Sequence, residues 1–169
     1  MRFLILTILI FLSSTAHAES LSNRLLKAAQ DTASAEQTLN ELQQHSTDKL
    51  TAEDYLVISE AYQTLNNREA ALDAINKAEN SAATPYLKAR SIFSKAQIYG
   101  IFYQDAEMAI RQLEAAEQLL LPLHSQADRL LLSDVLTNFA SAYNVQGNLN
   151  NGLDYARRSL DLARELESP

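Results

Sequence analysis

The stretch LTNFASAYNVQGNLNNGLDYARRSL, residues 136–160, decides the fold. It places a small residue, Ala140, three positions before Tyr143, and a second small residue, Gly152, nine positions after that tyrosine. Gly147 lies between them and is typical of a turn that ends one helix before the next begins. The stretch therefore predicts two antiparallel helices that pack closely at Ala140 and Gly152.

The same spacing occurs twice upstream. The corresponding residues are, in order, Ser59, Tyr62 and Ala71 in a first pair, and Ala96, Tyr99 and Ala109 in a middle pair. The middle pair has ten positions between tyrosine and alanine, which predicts one extra turn residue. It also carries Lys95 where an apolar residue is expected. A single helix pair cannot bury its apolar stripe, so neighbouring pairs must stack and share a core.

The composition and the residues that start and end helices both agree with an all-α fold. Only three Gly and three Pro occur in 169 residues, which favours helices over an all-β fold. Thr84 before Pro85 is typical of a helix start, and so is Ser125 with Asp128. We predict helices at about 52–64, 68–81, 85–100, 105–120, 125–146 and 150–166.

Residues 21–42 carry an apolar and small stripe at alternating steps of four and three, which is a helical pattern. The polar segment from Asp31 to Ser34 interrupts this pattern. Ser34 with Gln37 would form a capping box for a second helix. The sequence leaves open whether this region is one helix or two.

These spacings resemble the tetratricopeptide repeat family over residues 52–166. The resemblance implies antiparallel helix pairs stacked as a short right-handed solenoid, with pairs at about 51–83, 84–121 and 125–167 and an N-terminal helix or degenerate repeat at 19–50. The tyrosines are 37 and 44 residues apart, above the usual repeat length of about 34, so the helices are longer. Residues 153–160 are also similar to periplasmic repeat regions of bacterial sensor proteins.

Members of this family bind partners in a concave groove lined by the first helix of each pair. The resemblance implies a partner groove lined by Leu56, Glu60, Gln63, Phe93, Gln97, Thr137, Ser141 and Asn144. Some members hold a peptide carboxylate there with cations and amides, but Leu56 and Glu60 stand at such positions here, so that activity is not carried over. The groove suits an extended or helical peptide. The alternative is that these residues are ordinary solvated helix faces.

The last helix offers a second candidate interface. Leu160, Leu162 and Leu166 give it more apolar positions than one packed stripe uses, and no further helix pattern follows to cover it. We expect self-association or docking of a partner through this end. The alternative is that Leu162 and Leu166 fold back on the preceding helix.

The first eighteen residues predict a signal peptide. Met1 and Arg2 are followed by an apolar run, Phe3 to Leu12, and residues 16–18 form the small-x-small pattern of a cleavage site. The run is shorter than the about 20 residues that span a bilayer. We expect cleavage after Ala18, a periplasmic location and no membrane insertion after signal removal. The sequence contains no Cys, which excludes a lipid-anchored cysteine and disulfides.

The net charge and a search for catalytic and metal-binding motifs argue against several classes of function. The net charge of −7 argues against nucleic acid and anionic lipid as partners, because both select for basic patches. His45 and His124 lie in no metal-ligand spacing, and no phosphate loop or nucleophile motif occurs. We therefore predict no catalytic residues, no cofactor and no metal. The remaining hypotheses are a non-catalytic adaptor or scaffold that binds a protein or peptide, and a sensory input module that reads a peptide or small ligand.

Overall fold

The computed structural model describes residues 20–44, 50–122 and 125–167, and within them the chain is helical with no strand. The helices are α1 Leu21–Gln30, α2 Thr32–Gln43, α3 Ala52–Thr64, α4 Arg68–Ser81, α5 Pro85–Ile101, α6 Ala106–Leu120, α7 Gln126–Val145 and α8 Leu149–Glu167. The predicted all-α class is confirmed. The expected signal peptide, its cleavage site and both His45 and His124 lie outside the described residues.

The N-terminal region forms two helices rather than one. Asp31 has an extended backbone and separates them. Its carboxylate accepts the backbone N–H of Ser34 at 2.7 Å, which caps the start of α2. The capping box suggested for Ser34 and Gln37 is wrong, because the polar residue that caps this helix lies three positions earlier.

Side-chain caps set the starts of the long helices. Thr51 and Asp54 form a reciprocal capping box at α3, and Ser125 and Asp128 form another at α7. Thr84 accepts the N–H of Leu87 at 3.2 Å ahead of Pro85. These caps satisfy amide groups that a helix start leaves unpaired, so the predicted boundaries hold to within two residues.

The three later helix pairs share one turn design. Each turn contains one residue in the left-handed region: Asn66 with φ 56°, Gln104 with φ 53° and Gly147 with φ 76°. The next residue donates its N–H to the carbonyl of the tyrosine of its pair: Asn67 to Tyr62 at 2.8 Å, Asp105 to Tyr99 at 3.0 Å and Asn148 to Tyr143 at 2.9 Å. The donor lies five positions after the tyrosine in the outer pairs and six in the middle pair. The predicted extra turn residue is therefore present.

Consecutive helices pack against one another, and three buried clusters bind the described residues together. The first cluster combines α1, α2 and α3, the second α3, α4 and α5, and the third α5, α6 and α7. In addition, α5 touches both α3 and α7. Because α3 and α5 each contribute to two clusters, every helix pair shares its core with the next one.

The small residues lie at close approaches between paired helices. The buried Ser59 hydroxyl donates to the carbonyl of Ala71 at 3.0 Å. A Cβ added to Gly152 would lie 3.2 Å from the carbonyl oxygen of Ala140. Lys95, which departs from the apolar pattern, pairs with Glu79 of the preceding helix at 2.9 Å. That ion pair explains a charged residue at this position.

Candidate functional site

The expected groove residues differ in how far their side chains are exposed to solvent. Thr137, Ser141 and Asn144 are exposed, and Glu60, Gln63 and Gln97 are half-buried. Leu56 and Phe93 lie elsewhere: their exposed fractions are 2% and 3%, and each belongs to a buried cluster. The expectation that they line a groove is corrected, because α3 and α5 each pack against several neighbours and bury a wider face than one stripe.

An open pocket of about 540 Å³ lies between α5, α6 and α7. It brings together two expected groove residues, Gln97 and Ser141, and adds the amide of Asn138. Its remaining lining is apolar or neutral: Ala96, Gly100, Ile101, Gln104, Ala106, Ala109, Leu113, Ala142 and Val145. A neutral pocket with amides and a hydroxyl can pair with peptide groups and bury an apolar side chain.

Two exposed apolar side chains stand at this pocket. The exposed fraction is 65% for Ile101 and 74% for Val145. Both lie near the carboxyl ends of their helices, α5 and α7, beside the turns that join each pair. Sequence reasoning did not include them, although their position just before a turn was a signal that could have found them.

Three ionisable side chains, one on each of α3, α5 and α7, influence one another electrostatically. Burial raises the pKa of Glu60 on α3 and of Asp134 on α7, and the guanidinium of Arg90 on α5 opposes both shifts. Arg90 lies 5.7 Å over the ring of Phe93, and its buried Nε has no hydrogen-bond partner among the described residues. The buried Nε2 of Gln63 likewise lacks a partner there. Among the described residues, no direct ion pair joins Arg90 to Glu60 or Asp134, so the three charges act on one another only at a distance.

The last helix is held firmly on one side. The ring of Tyr155 stacks on Phe139 at 4.3 Å and on Tyr143 at 5.5 Å between centroids. Arg158 pairs with Glu117 of α6 and covers the Tyr155 ring at 4.8 Å. These contacts fix the rotation of α8 about its own axis.

The opposite side of α8 is open. Leu149, Leu153 and Leu160 have exposed fractions of 66%, 51% and 51%, and Ala156 between them is also exposed. A shallow groove of about 390 Å³ runs beside them, between α7 and α8. This surface, Leu149, Leu153, Ala156 and Leu160, is called the outer stripe below.

The expected C-terminal interface overlaps the outer stripe at one residue. Leu160 is exposed as expected, whereas Leu162 and Leu166 are half-buried. Leu149 and Leu153 take their place, and sequence reasoning missed both. Their spacing with Ala156 and Leu160, in steps of four, three and four, was the signal that could have found them.

The described residues limit the chemistry available. They contain no group of three His, Cys, Asp or Glu side chains placed to hold a metal ion. Among the described helices, none is both long enough and apolar enough to cross a bilayer. The chain matches no protein-family model, and a comparison with curated proteins also gives no match.

Proposed function

We propose that this chain is an exported, non-catalytic adaptor or scaffold, built of tetratricopeptide-like helix pairs stacked as a short right-handed solenoid. It binds a protein or peptide partner in the pocket between α5, α6 and α7. The observation that carries this proposal is the pocket itself, which is open, about 540 Å³ in volume and lined by no charged side chain. The shared turn design and shared cores support the repeat assignment.

The pocket chemistry defines the partner. Gln97 and Asn138 each offer a donor and an acceptor, which matches the alternating groups of a peptide backbone. Leu113 and the alanines provide an apolar floor for one aliphatic or aromatic side chain. The partner segment is therefore neutral and apolar where it enters the pocket, and the exposed Ile101 and Val145 extend its contact area.

Site-specific photo-crosslinking in cells tests this proposal. A photoreactive residue at Val145, which is exposed and lines the pocket but not the groove beside α8, should capture a protein, and the same residue at Gln118, exposed on α6 and outside the pocket, should not. Adding Gly100→Trp, which fills the pocket from α5, should abolish the Val145 product. Equal capture at both positions, or capture that Gly100→Trp leaves unchanged, would contradict pocket binding.

One observation also favours the sensory alternative. The pocket volume falls in the range of about 300–1,000 Å³ that small-molecule sites occupy. In that case a neutral small ligand, rather than a peptide, occupies it. Native mass spectrometry of protein purified from the cell would show an added small mass that Gly100→Trp removes. A peptide mass, or a protein product in the crosslinking experiment, favours the adaptor.

A further inference from the structure

We infer that the outer stripe of α8 is the interface of an antiparallel homodimer, in which α8 of one copy packs against α8 of a second copy. This inference is separate from partner binding in the pocket between α5, α6 and α7. No member of the outer stripe lines that pocket, although Ser141 lines both the pocket and the groove beside the stripe. Each can therefore fail without the other.

The outer stripe is continuous and fixed in place. Its four members lie at steps of four, three and four, so they occupy one face along about three turns of α8. The helix cannot turn this face inward, because Tyr155 is stacked on Phe139 and Glu165 pairs with Arg129 at 2.5 Å. The described residues supply no cover for the stripe.

The molecule shows twice what covers the position that Ala156 occupies at the middle of the stripe. Ile75 of α4 and Leu113 of α6 lie four positions after the small residue of their pairs, as Ala156 does in α8. Their exposed fractions are 0% and 1%. Each is buried where a following helix, α5 or α7, packs on its own helix. The cover that suits this position of α8 is therefore another α-helix.

The stripe is complementary to itself when two copies run antiparallel. In a pair centred on residue 158, Ala156 of one copy lies opposite Leu160 of the other, and Leu153 lies opposite Ala163, a half-buried residue beside the stripe. Each of these layers joins one large and one small side chain, which lets two helices approach evenly. A parallel pair in register would stack Leu on Leu and Ala on Ala, which alternates wide and narrow layers. The antiparallel pair also closes on itself by two-fold symmetry.

Charge favours a second copy at this face. The flank beside the stripe carries Asp154, Arg157, Asp161 and Arg164, with ion pairs of 3.9 Å and 3.6 Å inside each helix. This flank is neutral, although the whole chain has a net charge of −7. Two copies that meet here bring together flanks without net charge, so the repulsion between two negatively charged chains is small at this face.

Sedimentation of the purified protein tests the dimer. The wild-type chain should have twice the monomer mass at micromolar concentration, and the variant with Leu153→Asp and Leu160→Asp should be monomeric with unchanged circular dichroism. Leu26→Asp, at a 72% exposed position on α1, is the matched control and should stay dimeric. A monomeric wild type, or an α8 variant that keeps the double mass, overturns the inference.

Distances between spin labels test the orientation and do not depend on an aspartate variant. The sequence contains no Cys, so a single introduced cysteine takes one label per chain. In the antiparallel pair, labels at Arg157→Cys are offset by about 3 Å along the helix axis and labels at Asn150→Cys by about 24 Å. Equal distances at both positions would indicate a parallel pair and overturn the arrangement. Gly100→Trp should leave both distances unchanged.

Discussion

At Glu60, burial and a neighbouring charge have opposite effects on the pKa of the carboxyl group. The half-buried carboxyl lies on α3, and the charge of Arg90 on α5 partly compensates for its burial. Burial is the larger effect, so the pKa of Glu60 is raised. A carboxylate that folding partly removes from water without a direct ion pair costs stability at neutral pH.

We expect Glu60→Gln to be more stable than the wild type at pH 7. The raised pKa means that the folded state binds this proton more tightly, so wild-type stability falls as pH rises from about 4.3 through the folded value. Below that window Glu60 is protonated in both states, and the stability difference should disappear. Urea unfolding at several pH values measures this. Glu114→Gln, at an exposed position on α6, is the control for the substitution itself.

At the scale of elements, each turn depends on one residue in the left-handed region, and the contact between α7 and α8 depends on a glycine without a side chain. The left-handed turn residue is glycine in the last pair but Asn66 and Gln104 in the other two. The close approach between α7 and α8 depends on Gly152, whereas a Cβ added at Gly100 on α5 would make an ordinary contact with Ala109. Replacing a glycine by alanine should therefore have a different effect on stability at each of Gly100, Gly147 and Gly152.

The turn residues should respond in opposite directions. Gly147→Ala should lower the free energy of unfolding by about 1 kcal/mol, because alanine is strained at a φ of 76° although no atom lies within 4 Å of its Cβ. Gln104→Gly should raise it by up to about 1 kcal/mol, since glycine adopts a φ of 53° without strain. Chemical denaturation of both variants measures the difference. Losses of stability in both would contradict the shared turn design.

The two helical glycines give a second comparison. At Gly100 an added Cβ meets only the Cβ of Ala109 at 3.8 Å, so Gly100→Ala should stabilise α5 by about 0.5–1 kcal/mol. At Gly152 the added Cβ would lie 3.2 Å from a backbone oxygen that cannot move freely. Gly152→Ala should therefore be less stable than Gly100→Ala by about 1–3 kcal/mol. Equal melting temperatures would place the close approach of the last pair elsewhere.

For the whole molecule, export remains a prediction from residues 1–18. In a bacterial host the full chain should yield a periplasmic product whose intact mass corresponds to a start at Glu19. Replacing both Ala16 and Ala18 with leucine removes the small residues of the cleavage site and should block processing. A wild-type product that retains Met1 in the membrane fraction would contradict the prediction.

Helix bounds and turns were predictable from sequence, because their causes are local. Thr84 with Pro85 and the box of Ser125 with Asp128 satisfy amides within one turn. The extra residue before Asp105 was visible in the spacing of the middle pair. The polar segment at Asp31 predicted a possible interruption of the helix but not which residue caps the second helix, since several neighbouring polar residues could have served as the cap.

The sequence by itself determined the all-α class, the helix order and the pairing of helices, because periodicity, caps and turn residues act within a few positions of the chain. Only the tertiary structure decided which face of each helix is buried. Leu56 and Phe93 are in the core because α3 and α5 each contact several other helices, and Leu153 rather than Leu162 is exposed because Tyr155 and Arg158 fix the rotation of α8. A helical stripe can turn towards more than one neighbour, and packing between distant segments selects the direction.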